Sequence, residues 1–272
     1  MQTSQYANIE GKDCGSAKHA TIRVIINKQS IQEEKSMNKI LADMHTHTIA
    51  SGHAYATLTE MCKEAANKGL EIYGITEHSS GIPGTCADLY FKNLGVVPRD
   101  LFGLDLRLGA EINIIDYNGT LDLGQEYIDR LDFVIAGIHS VCYKFGSKEE
   151  NTAAIINAIK NPNVNIISHP DDGRCPLDYE ALVQAAKEYH VLLEINNNAL
   201  RDKNRKNVKE NQKLIIENCK KYNHPFIMGS DAHFTTDIAN YDHCGPLVES
   251  MNVDNELIMN YYPDRLREFL RK

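Results

Sequence analysis

Short apolar runs alternate along this chain with longer segments in which apolar residues recur every three or four positions. The runs have the length and composition of buried strands, and the longer segments have the pattern of amphipathic helices. The predicted strands cover residues 40–44, 72–76, 107–115, 133–138, 164–168, 191–196 and 226–229. The predicted helices cover residues 58–68, 151–160, 178–189, 208–222 and 256–271. Such alternation predicts an α/β fold with parallel strands, and about seven units favour a closed barrel over an open sheet.

Residues 1–36 do not follow this pattern. They are polar and mixed, apart from one apolar run at residues 22–26. We therefore predict an N-terminal extension over residues 1–36, followed by a single domain over residues 37–272. Three interpretations of the extension stay open: a real appendage, an added strand, or an overextended gene start.

Polar residues that can bind metals follow most of the predicted strands. His45 and His47 end the first strand at positions i and i+2, so their imidazoles point the same way, and Asp231 and His233 repeat this spacing after the last strand. The full candidate set is His45, His47, His53, His78, Glu111, His139, His169, Asp231 and His233. In a βα barrel the carboxyl ends of all strands meet at one rim, where the chemistry gathers.

The donor atoms of this set are nitrogen and oxygen only, which favours zinc, manganese or iron over a thiolate site. A catalytic zinc takes three protein ligands, so nine candidates suit three ions. Glu111 and Asp231 are the candidates for bridging two ions, because a carboxylate has two oxygens.

Several candidates are weak when taken singly. A lone histidine such as His139 or His169 after an apolar strand is more often structural, Glu111 alone is weak evidence, and His53 and His78 are weakest by spacing. The metal interpretation depends on all nine meeting at one rim. The remaining histidines, His19, His190, His224 and His243, are not assigned as ligands.

Composition narrows the classes of function. The chain has 272 residues, 42% of them apolar, a formal net charge of −8 and no long basic run, which argues against a nucleic-acid surface. Its seven scattered cysteines form no CxxC pair, which is typical of reduced thiols in a cytoplasmic protein. No apolar stretch approaches the roughly 18 residues of a membrane span, and the sequence predicts no signal peptide.

Together these motifs resemble those of the PHP (polymerase and histidinol phosphatase) superfamily, and most of all its YcdX-type phosphatases. The resemblance covers about residues 38–272. The matching motifs are Asp43-Met44-His45-Thr46-His47, His53, Thr76-Glu77-His78, Gly109-Ala110-Glu111, Gly137-Ile138-His139, Ser168-His169-Pro170 and Ser230-Asp231-Ala232-His233. Relatives often have Thr-Asp-His where this chain has Glu77 before His78, which leaves the ligand set intact.

The resemblance implies a distorted (β/α)7 TIM-like barrel with three divalent ions at its rim, usually zinc. It assigns one ion to His45, His47, Glu111 and Asp231. A second would be held by Glu111, His139 and His169, and a third by His53, His78 and His233.

The expected reaction is hydrolysis of a small phosphate monoester by a metal-activated water. Glu111 and Asp231 are the candidate catalytic groups, and either Asp231 or a metal-bound hydroxide would take the proton. Arg201 and Arg205, in the charged loop after the sixth predicted strand, are candidates for binding the phosphate. We expect a small phosphorylated substrate, no membrane or nucleic-acid partner, and a chain for which a homo-oligomer would be unsurprising.

Three alternatives stay open. A histidinol-phosphate phosphatase would share the chemistry and differ only in substrate. A proofreading nuclease fits less well, because the chain lacks a basic stripe. An inactive metal-binding structural module would bind metal without turnover.

Overall fold

The computed structural model describes residues 39–270. Within this range seven strands form one sheet: β1 Ala42–Asp43, β2 Ile72–His78, β3 Asp105–Asn113, β4 Val134–Gly137, β5 Ile166–Ile167, β6 Leu192–Asn196 and β7 Phe226–Gly229. The spatial order follows the chain order, and every neighbouring pair is parallel. The sheet is a nearly closed barrel, which confirms the predicted fold class.

Helices lie between the strands, as right-handed parallel crossovers require. Those in the described range are α1 Leu58–Asn67, α2 Leu89–Asn93, α3 Gln125–Ile128, α4 Lys148–Ile159, α5 Tyr179–Tyr189, α6 Val208–Tyr222, α7 Cys244–Ser250 and α8 Pro263–Leu270. The first of them begins at a capping box, in which Thr57 and Glu60 bond each other's backbone amides. None of the helices in residues 39–270 is long and apolar enough to span a membrane.

The barrel closes between β1 and β7 through a side chain. The amide of Asn260 accepts from the backbone N–H of Met228 at 2.8 Å and donates to the carbonyls of Ala42, at 3.0 Å, and of Met228, at 2.8 Å. Nearer the rim, Thr46 and Ala232 form a parallel bridge. The seam therefore combines one fully buried amide with this bridge in place of a continuous ladder.

The core below the rim contains an aromatic ring that two strands accommodate with glycine. A Cβ on Gly74 or Gly109 would stand 2.8 Å from the ring of Phe133. Phe133 belongs to a buried apolar cluster. The cluster includes residues that lie in or next to six of the strands, and Leu266, Phe269 and Leu270 of α8. This packing supports the rim from beneath.

The prediction of one helix over residues 256–271 is wrong in its first half. Residues Asn255–Leu257 and Met259–Tyr261 are separate 3-10 turns, and α8 begins only at Pro263. Proline suits the first turn of a helix but disfavours helical backbone in the residue before it, so a helix cannot run through this position unbroken. The predicted extension over residues 1–36 lies outside the described residues, and the division of the chain there stays a prediction.

A candidate metal centre at the rim of the barrel

Glu111, near the end of β3, lies at the centre of the predicted ligand set. Its side chain is 1% exposed, and neither carboxylate oxygen has a hydrogen-bond partner within residues 39–270. The nearest imidazole nitrogens are those of His45 at 3.3 Å, His47 at 3.5 Å, His78 at 3.0 Å, His139 at 3.3 Å and His169 at 2.9 Å. Buried polar atoms without hydrogen bonds are costly and rare, so a carboxylate that five imidazole nitrogens approach without hydrogen-bonding to it fits a shared cation.

Asp231 forms the second carboxylate corner of the centre. Its Oδ1 lies 3.3 Å from Nε2 of His47 and 3.6 Å from both Nε2 of His45 and Nδ1 of His233. The opposite oxygen, Oδ2, has one long contact of 3.4 Å with the side-chain amide of Asn196. Asp231 therefore directs Oδ1 towards the imidazole cluster, while Oδ2 makes a single long hydrogen bond within the described residues.

The ligand atoms fall into three overlapping groups whose members lie within 4.8 Å of one another. These groups are His47, His78 and His233; His45, His47 and Glu111; and His78, Glu111 and His139. His53 is exposed at the edge of the centre, with its ring 5.0 Å from that of His78 and 4.8 Å from that of His233. The structure thus brings all nine predicted residues together, with His78 between the carboxylate and the outer imidazoles.

Most of these imidazoles are oriented by an oxygen at Nδ1. Glu194 lies 2.7 Å from Nδ1 of His45, and Asn113 lies 2.7 Å from Nδ1 of His139. In His53 and His233 the partner is a backbone carbonyl, and in His47 it is the hydroxyl of Ser51. Such bonds fix the ring and its tautomer and leave Nε2 for a metal. In His78 the nitrogen near Glu111 is Nδ1 itself, and it has no hydrogen bond.

The backbone is strained at two of the candidate ligands. His169 has φ of 29° and Asp231 has φ of 53°, a region that residues other than glycine seldom occupy. Such outliers cluster at functional sites, where the surroundings hold them in place. Here they turn the chain just after β5 and β7, so that both side chains face the centre.

The charges of the centre are strongly coupled. Burial alone would raise the pKa of Glu111, but the imidazoles of His45, His139 and His78 hold it well below its ordinary value. Burial lowers the pKa of His45, and the carboxylates of Glu194 and Glu111 outweigh it, so this pKa is raised. The pKa of His47 is lowered by burial and by the neighbouring His78 and His233. An ionised Glu111 and a neutral His47 are the states that bind a divalent ion, whereas His45, whose pKa is raised, must release a proton to bind one.

Sequence reasoning gave no role to the residues that hold these ligands. Glu194 is not among the candidate ligands, yet its Oε2 accepts from the backbone N–H of His169 at 2.8 Å. The amide of Asn113 is oriented by Asp122, which accepts from its Nδ2 at 2.7 Å. The available signal was a charged residue within a buried strand, as Glu194 is in β6.

A cleft of about 240 Å³ opens beside the centre. Four of the candidate ligands line it, together with Arg174, Arg205 and the apolar side chains of Ile138, Val141 and Phe145. The hydroxyl of Ser168, also in its wall, is buried and has no hydrogen-bond partner in the described part of the chain. The cleft therefore combines metal-binding, cationic and apolar walls.

The two predicted phosphate-binding arginines differ in position. Arg205 lines the cleft, with Nη1 3.5 Å from Asp171 and Nε 3.7 Å from Asp202. Arg201 is not among the residues that line the cleft, and its guanidinium donates to Asp237 at 3.2 Å. Arg174, which the sequence did not single out, lines the cleft and donates to Asp172 through Nε and Nη2. Arg205 is thus the better placed of the predicted pair.

The unassigned histidines in the described range lie in other settings. His224 is buried with Nε2 2.9 Å from the carbonyl of Val191, and His190 stacks on Phe269 with ring centroids 3.8 Å apart. His243 is exposed at the start of α7. None of the three appears in a group of metal-binding atoms among the described residues.

Comparisons with known proteins agree with this geometry. The sequence pattern of the PHP domain matches residues 43–218. A probable phosphatase from Caldicellulosiruptor saccharolyticus is 49% identical over 231 residues, which cover 84% of this chain and 95% of that protein. A probable phosphatase from Acetivibrio thermocellus is 42% identical over 234 residues, with 86% and 96% covered.

Among solved structures, the chain is similar to histidinol phosphate phosphatase from Lactococcus lactis, which was determined with zinc, L-histidinol and phosphate. The TM-score is 0.55 at 17% sequence identity, and the match covers 79% of this chain and 95% of that chain. At this identity the likeness shows the fold.

Proposed function

This chain belongs to the PHP domain family, and on that premise we propose that it hydrolyses small phosphate monoesters at a centre of three divalent metal ions. The family match and the phosphatase relatives make it a hydrolase of phosphoric esters, as the sequence predicts. The observation that carries the proposal is Glu111, whose two buried oxygens lack hydrogen bonds although five imidazole nitrogens lie within 3.5 Å.

The proposed distribution of ligands follows the resemblance. His45 and His47 would hold one ion with both carboxylates, and His139 and His169 would hold a second with Glu111. The third would be held by His53, His78 and His233. Zinc is the expected ion, with manganese or iron as alternatives, since the donors are nitrogen and oxygen only. When bound, such ions supply the Lewis acidity that activates water and neutralises a phosphoryl group.

The residues of the chain would bind and orient the substrate. Arg205 lines the cleft and has only long contacts with its aspartates, so its N–H donors remain available for phosphate oxygens. The unpartnered hydroxyl of Ser168 offers a further donor in the same wall. The volume of the cleft, about 240 Å³, favours a small leaving group.

Asp231 is the candidate for taking the proton of the attacking water. Its Oδ1 faces the imidazole cluster, while Oδ2 has only the 3.4 Å contact with Asn196. Glu111 has both oxygens within the cluster, so its role is to hold ions together. The different positions of the two carboxylates therefore support different roles, with Asp231 accepting a proton and Glu111 binding ions.

The direct test pairs metal analysis with turnover. Protein purified without a metal-affinity tag is assayed for metal by elemental mass spectrometry and for hydrolysis of p-nitrophenyl phosphate. We expect metal in the centre, activity that a chelator abolishes and zinc or manganese restores, and loss of both in Glu111→Gln. Glu126→Gln, at an exposed position, is the matched control.

Two outcomes would point elsewhere. Bound metal with no turnover on a broad panel of phosphate esters would favour an inactive metal-binding module. Turnover confined to histidinol phosphate would establish the narrower phosphatase that the sequence leaves open. Location in the cytoplasm and assembly into a homo-oligomer remain predictions.

A further inference from the structure

Ser51 lies in the turn after His47, and its hydroxyl oxygen meets three groups of the centre. It lies 3.0 Å from Nδ1 of His47 and 2.5 Å from Oε2 of Glu77, and it accepts from the backbone N–H of His78 at 3.2 Å. All four residues are buried. The hydrogen-bonding capacity of this single hydroxyl is therefore fully used.

The direction of each bond follows from what each atom can do. A serine hydroxyl has one proton to donate and two lone pairs to accept with. The backbone N–H of His78 always donates, so it takes one lone pair. The short contact with Glu77 takes the hydroxyl proton, because a carboxylate oxygen accepts. The second lone pair faces Nδ1 of His47, which must then carry a hydrogen.

Glu77 is oriented by further hydrogen bonds so that it can accept the proton of Ser51. Its oxygens also accept from the backbone N–H of Thr48, at 3.2 and 3.1 Å, and from the hydroxyl of Thr48 at 2.5 Å. These donors orient both oxygens of a side chain with no measurable exposure. Its hydrogen bonds in the described structure go to Thr48 and Ser51, so Glu77 reaches His47 only through the serine.

His47 differs in this respect from the other ligand candidates with a bonded Nδ1. The partners of His45, His53, His139 and His233 are carboxylate or carbonyl oxygens, which only accept. A hydroxyl can also donate, so Ser51 alone would not decide where His47 carries its proton. The position of the proton on His47 is fixed only if a second residue accepts the hydrogen bond that the Ser51 hydroxyl donates.

We propose that Glu77 is a positioning residue: by binding the proton of Ser51 it keeps the proton of His47 on Nδ1 and presents Nε2 to the metal ions. This inference rests on the proposed function only in assuming that Nε2 of His47 binds metal. Nε2 already faces the centre, 3.3 Å from Asp231 and 3.5 Å from Glu111. The glutamate before His78 thus acts on a different ligand from its sequence neighbour.

The first test reads the tautomer without any variant of the network. Metal-free, ¹⁵N-labelled protein is examined by two-bond ¹H–¹⁵N correlation NMR at about pH 8, where an imidazole of ordinary pKa is neutral. The His47 signals are assigned by their absence in His47→Gln. We expect the proton on Nδ1, and a proton on Nε2 would overturn the proposal.

The second test measures zinc affinity by chelator competition in Glu77→Gln and Ser51→Ala. The glutamine can donate to Ser51 and turn its hydroxyl towards His47, so we expect the proton to move to Nε2. Loss of such a partner typically weakens metal binding about 10–100-fold. Ser250→Ala is the matched control, because it removes a hydroxyl that donates to the carbonyl of Leu247, away from the centre.

The outcomes separate the two proposals. Affinities within about twofold of the unaltered protein in both variants would show that the network does not position a ligand. If Glu77→Gln fails to fold, Ser51→Ala and the tautomer of the unaltered protein still decide. If the unaltered protein binds zinc but hydrolyses no phosphate ester, the proposed function fails while this inference is still tested.

Discussion

Glu194 and His45 form a buried pair 149 residues apart in sequence, with Oε1 of the glutamate 2.7 Å from Nδ1 of the histidine. Both side chains are at most 2% exposed. The other oxygen of Glu194 accepts from the backbone N–H of His169 and from the side-chain amide of Asn196. One carboxylate in β6 therefore orients candidate ligands that follow β1 and β5.

Glu194→Gln should weaken zinc binding about 10–100-fold. The amide can still accept from His45, but its NH₂ then faces the donors of His169 and Asn196, which leaves buried donors unpaired. Chelator competition measures the change, with Glu188→Gln at an exposed position as control. Unchanged zinc affinity in Glu194→Gln would mean that His45 is held by packing alone.

Gly229→Ala should reproduce the defect of Glu194→Gln from the neighbouring strand. A Cβ at Gly229 would stand 1.6 Å from Oε1 of Glu194, so the carboxylate would have to leave His45. Both changes break the same contact. The zinc affinity of the double variant should therefore be no lower than that of the single variant with the lower affinity. Gly245→Ala is the control, since its nearest neighbour would be 3.7 Å away. Additive losses in the double variant would contradict the shared cause.

Arg205→Ala should raise KM for p-nitrophenyl phosphate about tenfold or more, because a hydrogen bond to a charged group contributes about 1.5–3 kcal/mol. Arg201→Ala should leave KM nearly unchanged, because Arg201 donates to Asp237 and does not line the cleft. Steady-state kinetics measure KM for both variants, and Arg201→Ala is the control for Arg205→Ala. Equal effects, or none in either, would remove Arg205 as the phosphate-binding residue.

His224 should make the protein less stable as the pH falls from about 6.5 to about 4. Burial lowers its pKa from 6.5 to about 4 in the folded chain, so the unfolded chain binds the proton first and acid favours unfolding. The full loss is about 3 kcal/mol, and it is complete below the folded pKa. Urea unfolding of the protein and of His224→Gln across this range measures it, because effects of other groups cancel in the difference. Parallel pH profiles would show that His224 does not contribute.

Asn260→Ala should lower the free energy of unfolding by about 3 kcal/mol or more. The change leaves the buried N–H of Met228 without its partner and leaves the carbonyl of Ala42 with the long 3.4 Å bond from the hydroxyl of Tyr241, and an unpaired buried group costs about 1–3 kcal/mol. Asn218→Ala removes an amide bonded to the carbonyl of Leu214 on α6 and should change stability by less than about 0.5 kcal/mol. Equal urea midpoints for Asn260→Ala and the unaltered protein would show that the seam closes without this side chain.

The sequence predicted the barrel and the residues at its rim because both leave local patterns. Apolar runs of strand length mark β2, β6 and β7, and the i, i+2 spacing marks His45 and His47. Once parallel strands are inferred, topology alone brings their carboxyl ends together. The structure gathers all nine predicted residues there for this reason.

The partners of those residues left no such pattern. The pair of Glu194 and His45 depends on strand register across the barrel, which a single sequence does not contain. The left-handed backbone of His169 and Asp231 likewise has no local signature, since residues other than glycine seldom adopt it. The short helices α2, α3 and α7 were missed because they have too few residues to show a clear helical period.

The amide that closes the barrel has a consequence for the order of synthesis. Asn260 lies 218 residues after Ala42, and Ala232, which bridges Thr46, also belongs to the last part of the chain, so β1 meets its partners across the seam only after most of the chain has been made. An exposed strand edge is a template for pairing with other chains, and domains of this size commonly pass through aggregation-prone intermediates. The outer edge of β1 is therefore exposed for most of translation, and a product that stops before residue 226 would lack β7 and keep two free edges.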